Sequence, residues 1–406
     1  MKSLYSFLVL FKHTITALII LIVSGFSSIV KSQSQLPVIE ASNEQAHIKD
    51  GKYVEVNWKL DPALKPDTYF INIPLKKSVV HFKTDKGSLT FRTQPGKNYD
   101  FIVVLNKKDS CHVRISSTQP PNPAHLISKN SFPQIIPFKL IGSRIYFDGL
   151  INGKSVTVQF DLGAGTSVIN TKSVERLGLS FTSQTLINNT NGINQARTSL
   201  DNELKLAVLH WTGISLTEVR NMQDYEDIII GNSFFKDKII EIDYDKKQFI
   251  IHSQLLSTKG FKKQPVFYEQ DRPKFNVKFS HNNKNYDFWF LFDTGRDGTM
   301  LLGEDFTSKK DYWEQLVPLT TINDKKIVRL DATISGVYFK DIVTNAADPN
   351  KPKGKTSLFG NQVLNHFNVI LDNRKGILYI KPNSRTYEPY SDYQNYLKEI
   401  SKMQKK

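Results

Sequence analysis

The chain has 406 residues, which is enough for two or three domains that each bury a core. Hydrophobic residues make up 39% of the sequence and aromatic residues 11%, a composition typical of a strand-rich globular protein. It excludes a disordered or fibrous chain. The formal net charge is +15, but the lysines are scattered instead of forming blocks, so the charge indicates solubility and some affinity for anionic envelope surfaces.

Residues 1–32 are predicted to be a secretory signal peptide. Lys2 precedes an apolar stretch whose strongest part spans residues 15–23, and Val30 and Ser32 suit a cleavage site before Gln33. A retained membrane anchor is the alternative interpretation, although the pure apolar run is short for a membrane span. We expect an exported protein, periplasmic or secreted, with no permanent membrane span after cleavage and no nucleic-acid partner.

Cys111 is the only cysteine. An exported protein with one thiol has no internal disulfide, so its stability must come from packing. His81, His112 and His125 lack the spacing of metal ligands. The sequence therefore predicts no metal and no cofactor.

Residues 36–118 alternate short apolar strands with turns at Asp50-Gly51, Lys86-Gly87 and Pro95-Gly96. This pattern predicts a small β-sandwich, which serves either as a packing or spacer module or as a ligand-binding domain. A proline-rich stretch follows, and residues 119–134 are predicted to be a linker.

Two similar segments come next, at residues 135–258 and 259–384. In each, an apolar strand leads directly into an Asp-x-Gly motif, Asp161 with Gly163 and Asp293 with Gly295. The aspartates lie 293 − 161 = 132 positions apart, and the Gly-Asn pairs that close the segments, at 231–232 and 360–361, lie 360 − 231 = 129 apart. This agreement predicts an internal duplication and a pair of β-rich lobes.

Local signals fill in the first segment. Asn152-Gly153 predicts a hairpin turn, residues 171–177 predict a short helix capped by Gly178, and Asn191-Gly192 predicts a second hairpin. Residues 385–406 form a basic tail that we expect to end in a short exposed helix.

The two Asp-x-Gly motifs, each followed by an apolar Gly-Asn element, resemble the retropepsin-like and pepsin-like aspartic peptidases over residues 135–382. The resemblance implies an all-β fold: a bilobal pair of duplicated retropepsin-like (acid-protease) β-barrels, here preceded by the small β-sandwich. It also implies that one chain supplies both halves of the site, so we expect a monomer.

The resemblance further implies an exported aspartic-type endopeptidase that hydrolyses polypeptides. Asp161 and Asp293 would hold the attacking water at the lobe interface. Adjacent carboxyls cannot both ionise cheaply, so they share one proton, and one acts as base while the other acts as acid. Gly163 and Gly295 would form the tight turns, and the Thr294 hydroxyl would bond across to the opposite lobe. Asn191 and Gly192 would lie in a flap that closes over the substrate cleft.

Three departures from the family pattern leave an alternative open. Leu162 stands where a hydroxyl residue is expected, and a second flap is marked only by Asn323-Asp324. Arg296 either lies near the paired aspartates, which favours two charged carboxylates, or pairs with Asp297 and faces away, the arrangement we expect. The alternative function is a catalytically inactive peptidase-like envelope protein that binds peptide or glycan in the same cleft.

Overall fold

The computed structural model describes residues 36–122, 124–127, 132–189, 192–255, 257–322, 325–390, 397 and 401–402. The predicted signal peptide and most of the predicted C-terminal helix lie outside the described residues. Within the described part of the chain, no helix is both long and apolar enough to cross a membrane.

The N-terminal region consists of two four-stranded sheets, in the orders β1-β7-β8-β4 and β3-β2-β5-β6. Its strands are β1 (Val38–Ala41), β2 (Gln45–Asp50), β3 (Val54–Lys59), β4 (Asp67–Phe70), β5 (Ser78–Lys83), β6 (Ser88–Thr93), β7 (Asn98–Leu105) and β8 (Asp109–Ser116). Alternate residues of these strands point inward, so Ile48, Phe82, Phe101 and the single thiol, Cys111, fill one apolar core.

The next strands build the first lobe. They are β9 (His125–Leu126), β10 (Gln134–Pro137), β11 (Lys139–Ile141), β12 (Arg144–Ile151), β13 (Lys154–Phe160), β14 (Val168–Asn170), β15 (Ser183–Asn189), β16 (Gly192–Leu206), β17 (Leu209–Val219), β18 (Ile228–Ile230), β19 (Ile239–Asp243) and β20 (Gln248–His252). Short helices cover Thr171–Ser173, Val174–Leu177 and Asn232–Phe235.

The second lobe contains the remaining strands. They are β21 (Lys262–Glu269), β22 (Arg272–His281), β23 (Lys284–Asp293), β24 (Met300–Leu302), β25 (Thr320–Ile322), β26 (Lys325–Ile334), β27 (Val337–Ala346), β28 (Leu358–Gly360), β29 (Phe367–Asp372) and β30 (Ile377–Pro382). One-turn helices span Glu304–Thr307, Tyr312–Gln315 and Asn361–Leu364.

The two lobes have the same strand order. Lobe 1 runs β11-β12-β13-β18-β14-β17-β16-β15, and lobe 2 runs β21-β22-β23-β28-β24-β27-β26-β25. The mixed pairings agree as well, because β13–β18 and β23–β28 are both parallel while β14–β18 and β24–β28 are both antiparallel. The fold is therefore the all-β, bilobal fold that the sequence predicts.

A sheet across the interface joins the lobes. Strand β19 of lobe 1 pairs antiparallel with β29 of lobe 2, and the order β10-β20-β19-β29-β30-β21 runs from one lobe to the other. Apolar residues of both lobes belong to one continuous core cluster. The lobes are thus held together by backbone hydrogen bonds as well as by packing.

The predicted turn at Asn152-Gly153 and the predicted helix cap at Gly178 are confirmed. Asn152 (φ 47°) and Gly153 (φ 80°) turn between β12 and β13 in left-handed conformations, which Asn and Gly tolerate best. Gly178 (φ 61°) ends the helix at 174–177 and donates to the carbonyls of Val174 and Glu175.

The Asn72 side chain attaches the N-terminal sheets to lobe 2, because it forms hydrogen bonds with the Tyr268 backbone as a neighbouring strand would. Asn72 Nδ2 donates to the Tyr268 carbonyl at 2.7 Å, and Asn72 Oδ1 accepts from the Tyr268 N–H at 3.0 Å. Tyr53 stacks beside Phe267 and Trp289 of lobe 2.

Strand β9, inside the predicted linker, pairs with β17. The predicted linker therefore runs along lobe 1.

Candidate active site

The two Asp-x-Gly motifs meet where the lobes face each other. Strand β13 is apolar and buried at its end, and Asp161 follows it, with its N–H bonded to the Ile230 carbonyl at 2.9 Å. Asp293 is the last residue of β23, a strand that pairs in parallel with β28. Each aspartate thus lies at the carboxyl end of a central strand of its lobe, on a rigid support.

The two carboxyl groups share a donor. The Gly295 N–H lies 3.0 Å from Asp161 Oδ1 and 3.0 Å from Asp293 Oδ1. Each also accepts from its own loop: Asp161 Oδ1 from the Gly163 N–H at 2.6 Å, and Asp293 Oδ1 from the Arg296 N–H at 2.9 Å. The structure therefore brings the two predicted carboxyls together, each held by backbone donors.

The glycines are required by space rather than by backbone angle. A Cβ atom on Gly295 would lie 2.2 Å from the Asp161 carboxyl carbon, and one on Gly163 would lie 2.6 Å from that of Asp293. Neither glycine has a positive φ. Each loop therefore makes room for the carboxyl of the opposite lobe.

Thr294 connects the lobes, as predicted from the resemblance. It is fully buried; its hydroxyl accepts from the Leu162 N–H at 2.9 Å and donates to the Phe160 carbonyl at 3.2 Å. Leu162, at the matching position, packs its side chain into the apolar core with 2% exposure. At these two matching positions, therefore, only lobe 2 supplies a hydroxyl group that contacts the other lobe.

Lobe 1 compensates with longer polar side chains that the sequence reasoning did not single out. Arg144 Nε donates to the Gly295 carbonyl at 2.9 Å, and Gln159 Nε2 donates to the same carbonyl at 3.2 Å. Arg144 also forms an ion pair with the buried Glu226 at 3.4 Å. The loop that carries Asp293 is thus fixed from lobe 1 by Arg144 and Gln159.

The expectation that Arg296 pairs with Asp297 and faces away was wrong. Asp297 Oδ1 accepts from the Ser143 hydroxyl at 2.7 Å and from the Ser143 N–H at 3.2 Å, across the lobe interface. Because Asp297 bonds lobe 1, the Arg296 side chain instead folds back over its own loop, where Nη2 donates to the Met300 carbonyl at 3.4 Å. Its positive charge therefore lies close to Asp293.

The two carboxyls differ in proton affinity. Burial, and then the negative charge of Asp293, raise the pKa of Asp161 well above its usual value. Burial also raises the pKa of Asp293, but the Arg296 charge and a hydrogen bond from Asp161 oppose that rise. A single shared proton is accordingly favoured on Asp161, with the charge on Asp293.

Matched contacts also explain the Gly-Asn pairs, whose role the sequence did not reveal. Asn361 Nδ2 donates to the Ser143 carbonyl of lobe 1, and Asn232 Nδ2 donates to the Asp271 carbonyl of lobe 2 at 3.0 Å. Tyr244, after Asp243, donates to Asn361 at 2.7 Å. Asn373, after Asp372, donates to Asn232 at 3.0 Å. The equal spacing of these pairs was the available signal.

The predicted flap is only partly described. Gly192 begins β16, and the pairing of Asn189 with Gly192 forms the end of the β15–β16 hairpin. Asn191 lies outside the described residues. So do Asn323 and Asp324, although strands β25 and β26 flank them as an equivalent hairpin in lobe 2.

Comparison with known proteins finds similarity to aspartic proteases. Residues 147–237 match the family described as gag-polyprotein putative aspartyl protease, a stretch that includes Asp161 and its loop. Among solved structures, the aspartic proteinase from Irpex lacteus is 12% identical, with a TM-score of 0.43, over 63% of this chain and 99% of that chain. No curated protein sequence matches the chain. The family match bears out the predicted resemblance to aspartic peptidases over residues 147–237.

Proposed function

We propose that the protein is an aspartic-type endopeptidase in which Asp161 and Asp293 hold the attacking water between two lobes that arose by duplication. The observation that carries the proposal is the convergence of both carboxyls on the Gly295 N–H, 3.0 Å from each. Their different proton affinities supply one protonated acid and one charged base at the same place.

The reaction uses the pair as a unit. The charged carboxylate, favoured on Asp293, takes a proton from water as it attacks the peptide carbonyl. The protonated partner, favoured on Asp161, donates its proton to the carbonyl oxygen, which gives a tetrahedral diol. Asp293 then passes the proton that it took from water to the leaving amine, while Asp161 takes back a proton from a diol hydroxyl as the C–N bond breaks, so both carboxyls return to their starting state. Backbone N–H groups hold the carboxyls in place throughout, so little reorganisation is needed. The pair titrates jointly, so the two pKa values govern the pH profile together.

Cleavage of a reduced, unfolded protein across acidic to neutral pH tests the proposal. Asp161→Asn and Asp293→Asn are each expected to lower kcat/KM by about 10²–10⁴-fold, because each removes one proton-transfer group. Asp224→Asn is the matched control, since Asp224 is an exposed acid paired with Lys172. Equal cleavage by the wild type and Asp293→Asn, or no cleavage by the wild type at any pH, would refute the proposal.

A second candidate function rests on Arg296 and Leu162. A cation beside Asp293 favours the charged form of that carboxyl, and Leu162 supplies no hydroxyl contact to the other lobe. Both features suit an inactive cleft that binds peptide or glycan. A thermal shift caused by an extracellular polymer, with none caused by a statine-type transition-state mimic, would favour this binder.

We also propose that the protein is exported and acts as a monomer. The basis for export is the apolar stretch at residues 15–23 behind Lys2, with small residues before Gln33. The basis for a monomer is that one chain supplies both aspartates. Fractionation and N-terminal sequencing of the mature protein test the first proposal, and light scattering tests the second.

A further inference from the structure

A cavity of about 320 Å³ opens beside the Asp293 loop. We call it the basic cavity, because five of the side chains that line it are cationic: Arg296, Lys325, Lys351, Lys353 and Lys355. The acidic side chains in its wall are Glu304 and Asp348. Five cations against two carboxylates leave the wall with a formal charge of 5 − 2 = +3.

The basic cavity adjoins the loop that carries Asp293, because Arg296 of that loop lines it. The backbone N–H of Arg296 donates to Asp293 Oδ1 at 2.9 Å. Lys325, which also lines the cavity, begins β26, the second strand of the β25–β26 hairpin. The cavity thus lies between the Asp293 loop and the hairpin that corresponds to the lobe 1 flap.

The cavity is held in shape by Glu304, which is 9% exposed. Its carboxylate accepts from the Lys353 N–H and the Lys355 N–H, both at 2.9 Å. Asp348 accepts from the Asn350 N–H at 2.9 Å and from its side chain at 3.2 Å. Both carboxylates are therefore engaged in fixing their loops, and the loop at 353–355 presents its lysines at a defined position.

The cationic groups are close enough to repel one another. Burial lowers the pKa of Lys355, and the charges of Lys325, Lys353 and Arg296 lower it further, against the opposing charge of Glu304. Arg296 Nε is buried and has no hydrogen-bond partner among the described residues. A carboxylate in the cavity would relieve this repulsion.

Lobe 1 differs at the equivalent positions. Ala164 corresponds to Arg296. The segment at 220–227, which corresponds to 347–357, carries Asp224, Glu226 and Asp227, and these pair with Lys172, Arg144 and Arg176. The acidic residues of this lobe 1 segment are thus paired with cations, whereas the cationic residues of the basic cavity outnumber its acidic ones.

We propose that the basic cavity is a subsite that receives an acidic side chain, Asp or Glu, of the polypeptide substrate. This inference rests on the proposed function, since the cavity adjoins the same pair of carboxyls. A carboxylate side chain suits the site because it pairs with both Arg and Lys donors, whereas a neutral amide of the same size gains no charge attraction. The subsite would select peptides with an acidic residue on one side of the cleaved bond.

Pairs of fluorogenic peptides that differ only by Glu or Gln at one position test the subsite. With the substitution placed in turn at each position around the cleaved bond, one position is expected to give about tenfold higher kcat/KM for Glu, which corresponds to about 1.4 kcal/mol. High salt should weaken the preference because it screens the lysines. The preference should also disappear below about pH 4.3, where the substrate Glu becomes protonated.

The double variant Lys325→Gln/Lys353→Gln is expected to bring the Glu-to-Gln ratio close to one. Its matched control is Lys278→Gln/Lys284→Gln, which removes two exposed lysines from the β22–β23 hairpin of the same lobe and should keep the wild-type ratio. Equal cleavage of Glu and Gln peptides by the wild type at every position would overturn the subsite and leave the peptidase proposal standing.

If the wild type cleaves no peptide, binding measurements still distinguish the acidic subsite from the peptidase proposal. Statine-containing peptides that cannot be cleaved, with Glu or Gln at each tested position, are measured by fluorescence anisotropy. If the wild type cleaves nothing but binds one Glu peptide about tenfold more tightly, and the double variant loses that difference, the peptidase proposal fails and the acidic subsite stands. Equal binding of each pair overturns the subsite.

Discussion

Arg296 gives the two lobes different electrostatics around otherwise matched carboxyls. At the equivalent position of lobe 1 the residue is Ala164, so no cation lies in the Asp161 loop. Because the Arg296 charge lowers the pKa of Asp293 against the effect of burial, it separates the two proton affinities. A single residue therefore biases which carboxyl carries the shared proton.

Replacing Arg296 by the residue of lobe 1, as Arg296→Ala, tests this effect. Removing the cation raises the pKa of Asp293, so the charged base forms only at higher pH, and the acid limb of the kcat/KM profile is expected to move upward. The pH profile of peptide cleavage measures the shift. Arg92→Ala, at an exposed position of the N-terminal sheets, should leave the acid limb in place. A downward or absent shift in Arg296→Ala would contradict the proposed influence of its charge.

The Thr294 hydroxyl links the two Asp-x-Gly motifs across the lobe interface. Thr294→Val keeps the shape but leaves the Leu162 N–H and the Phe160 carbonyl unpaired, which is expected to cost about 2–4 kcal/mol of unfolding free energy. Urea denaturation measures the loss. Thr344→Val is the control, because that buried hydroxyl donates to Met300 within lobe 2 at 2.8 Å. If Thr294→Val lowered the unfolding free energy no more than Thr344→Val does, the cross-lobe hydroxyl would contribute no more than a hydroxyl within one lobe.

At the scale of elements, each lobe places a turn against the Asp loop of the other. Gly142, in the turn before β12, lies against Asp297, where an added Cβ would come within 2.9 Å of the carboxyl carbon. Gln270, in the turn before β22, lies against Gly165, where an added Cβ would be 3.2 Å from the Gln270 carbonyl oxygen. The two turns occupy equivalent places in the strand order, so each lobe contacts the Asp loop of the other lobe in the same way.

The turn in lobe 2 is also tied to the N-terminal sheets. Tyr268, two residues before Gln270, bonds Asn72 through its backbone and Asn373 through its hydroxyl at 2.9 Å. Asn72 is held in turn by Asp50, whose pKa is raised by burial. Polar contacts therefore run from the sandwich to the lobe interface.

Asn72→Ala is expected to loosen this attachment, with a loss of about 1–3 kcal/mol because the Tyr268 backbone groups lose their partners. Hydrogen exchange at the Tyr268 amide is the direct measurement, and it should become faster. Asn98→Ala is the control, since the Asn98 side chain accepts from Ser116 inside the sandwich at 2.8 Å. An unchanged exchange rate at the Tyr268 amide would show that the aromatic contacts of Tyr53 are enough to hold the N-terminal sheets against lobe 2.

Much of this arrangement could be predicted from the sequence, because the informative signals are local or repeated. Asn152-Gly153 fixes its own turn, and equal spacing revealed that Asp161 and Asp293 are equivalent. Contacts that depend on the docking of the lobes could not be predicted. Asp297 bonds Ser143, 154 positions earlier, and this contact leaves Arg296 to turn toward Asp293. Nothing in the neighbouring sequence indicates which of two adjacent charged residues faces the other lobe.

On the scale of the whole molecule, the described residues form two main apolar cores. One cluster spans both lobes, and another fills the N-terminal sandwich. Because the lobes also share a sheet through β19 and β29, we expect them to unfold together, with the sandwich as a separate unit.

Three matched Leu→Ala variants test this division. Leu204 in lobe 1, Leu330 in lobe 2 and Leu60 in the sandwich are each 2% exposed or less. Each substitution is expected to cost about 2–5 kcal/mol in its own unit. In differential scanning calorimetry, Leu204→Ala and Leu330→Ala should lower the same transition, and Leu60→Ala should lower a different one. Separate shifts for the two lobe variants would refute joint unfolding of the lobes.

The unlike Asp loops have a consequence for the orientation of the substrate. A peptide has a direction, and two identical lobes would offer it the same surroundings from either end, so it could bind in two orientations. Here Ala164 flanks one carboxyl and Arg296, with its basic cavity, flanks the other. A polypeptide with one acidic residue would therefore be bound in a single orientation, and the same carboxyl would face its leaving amine at every turnover.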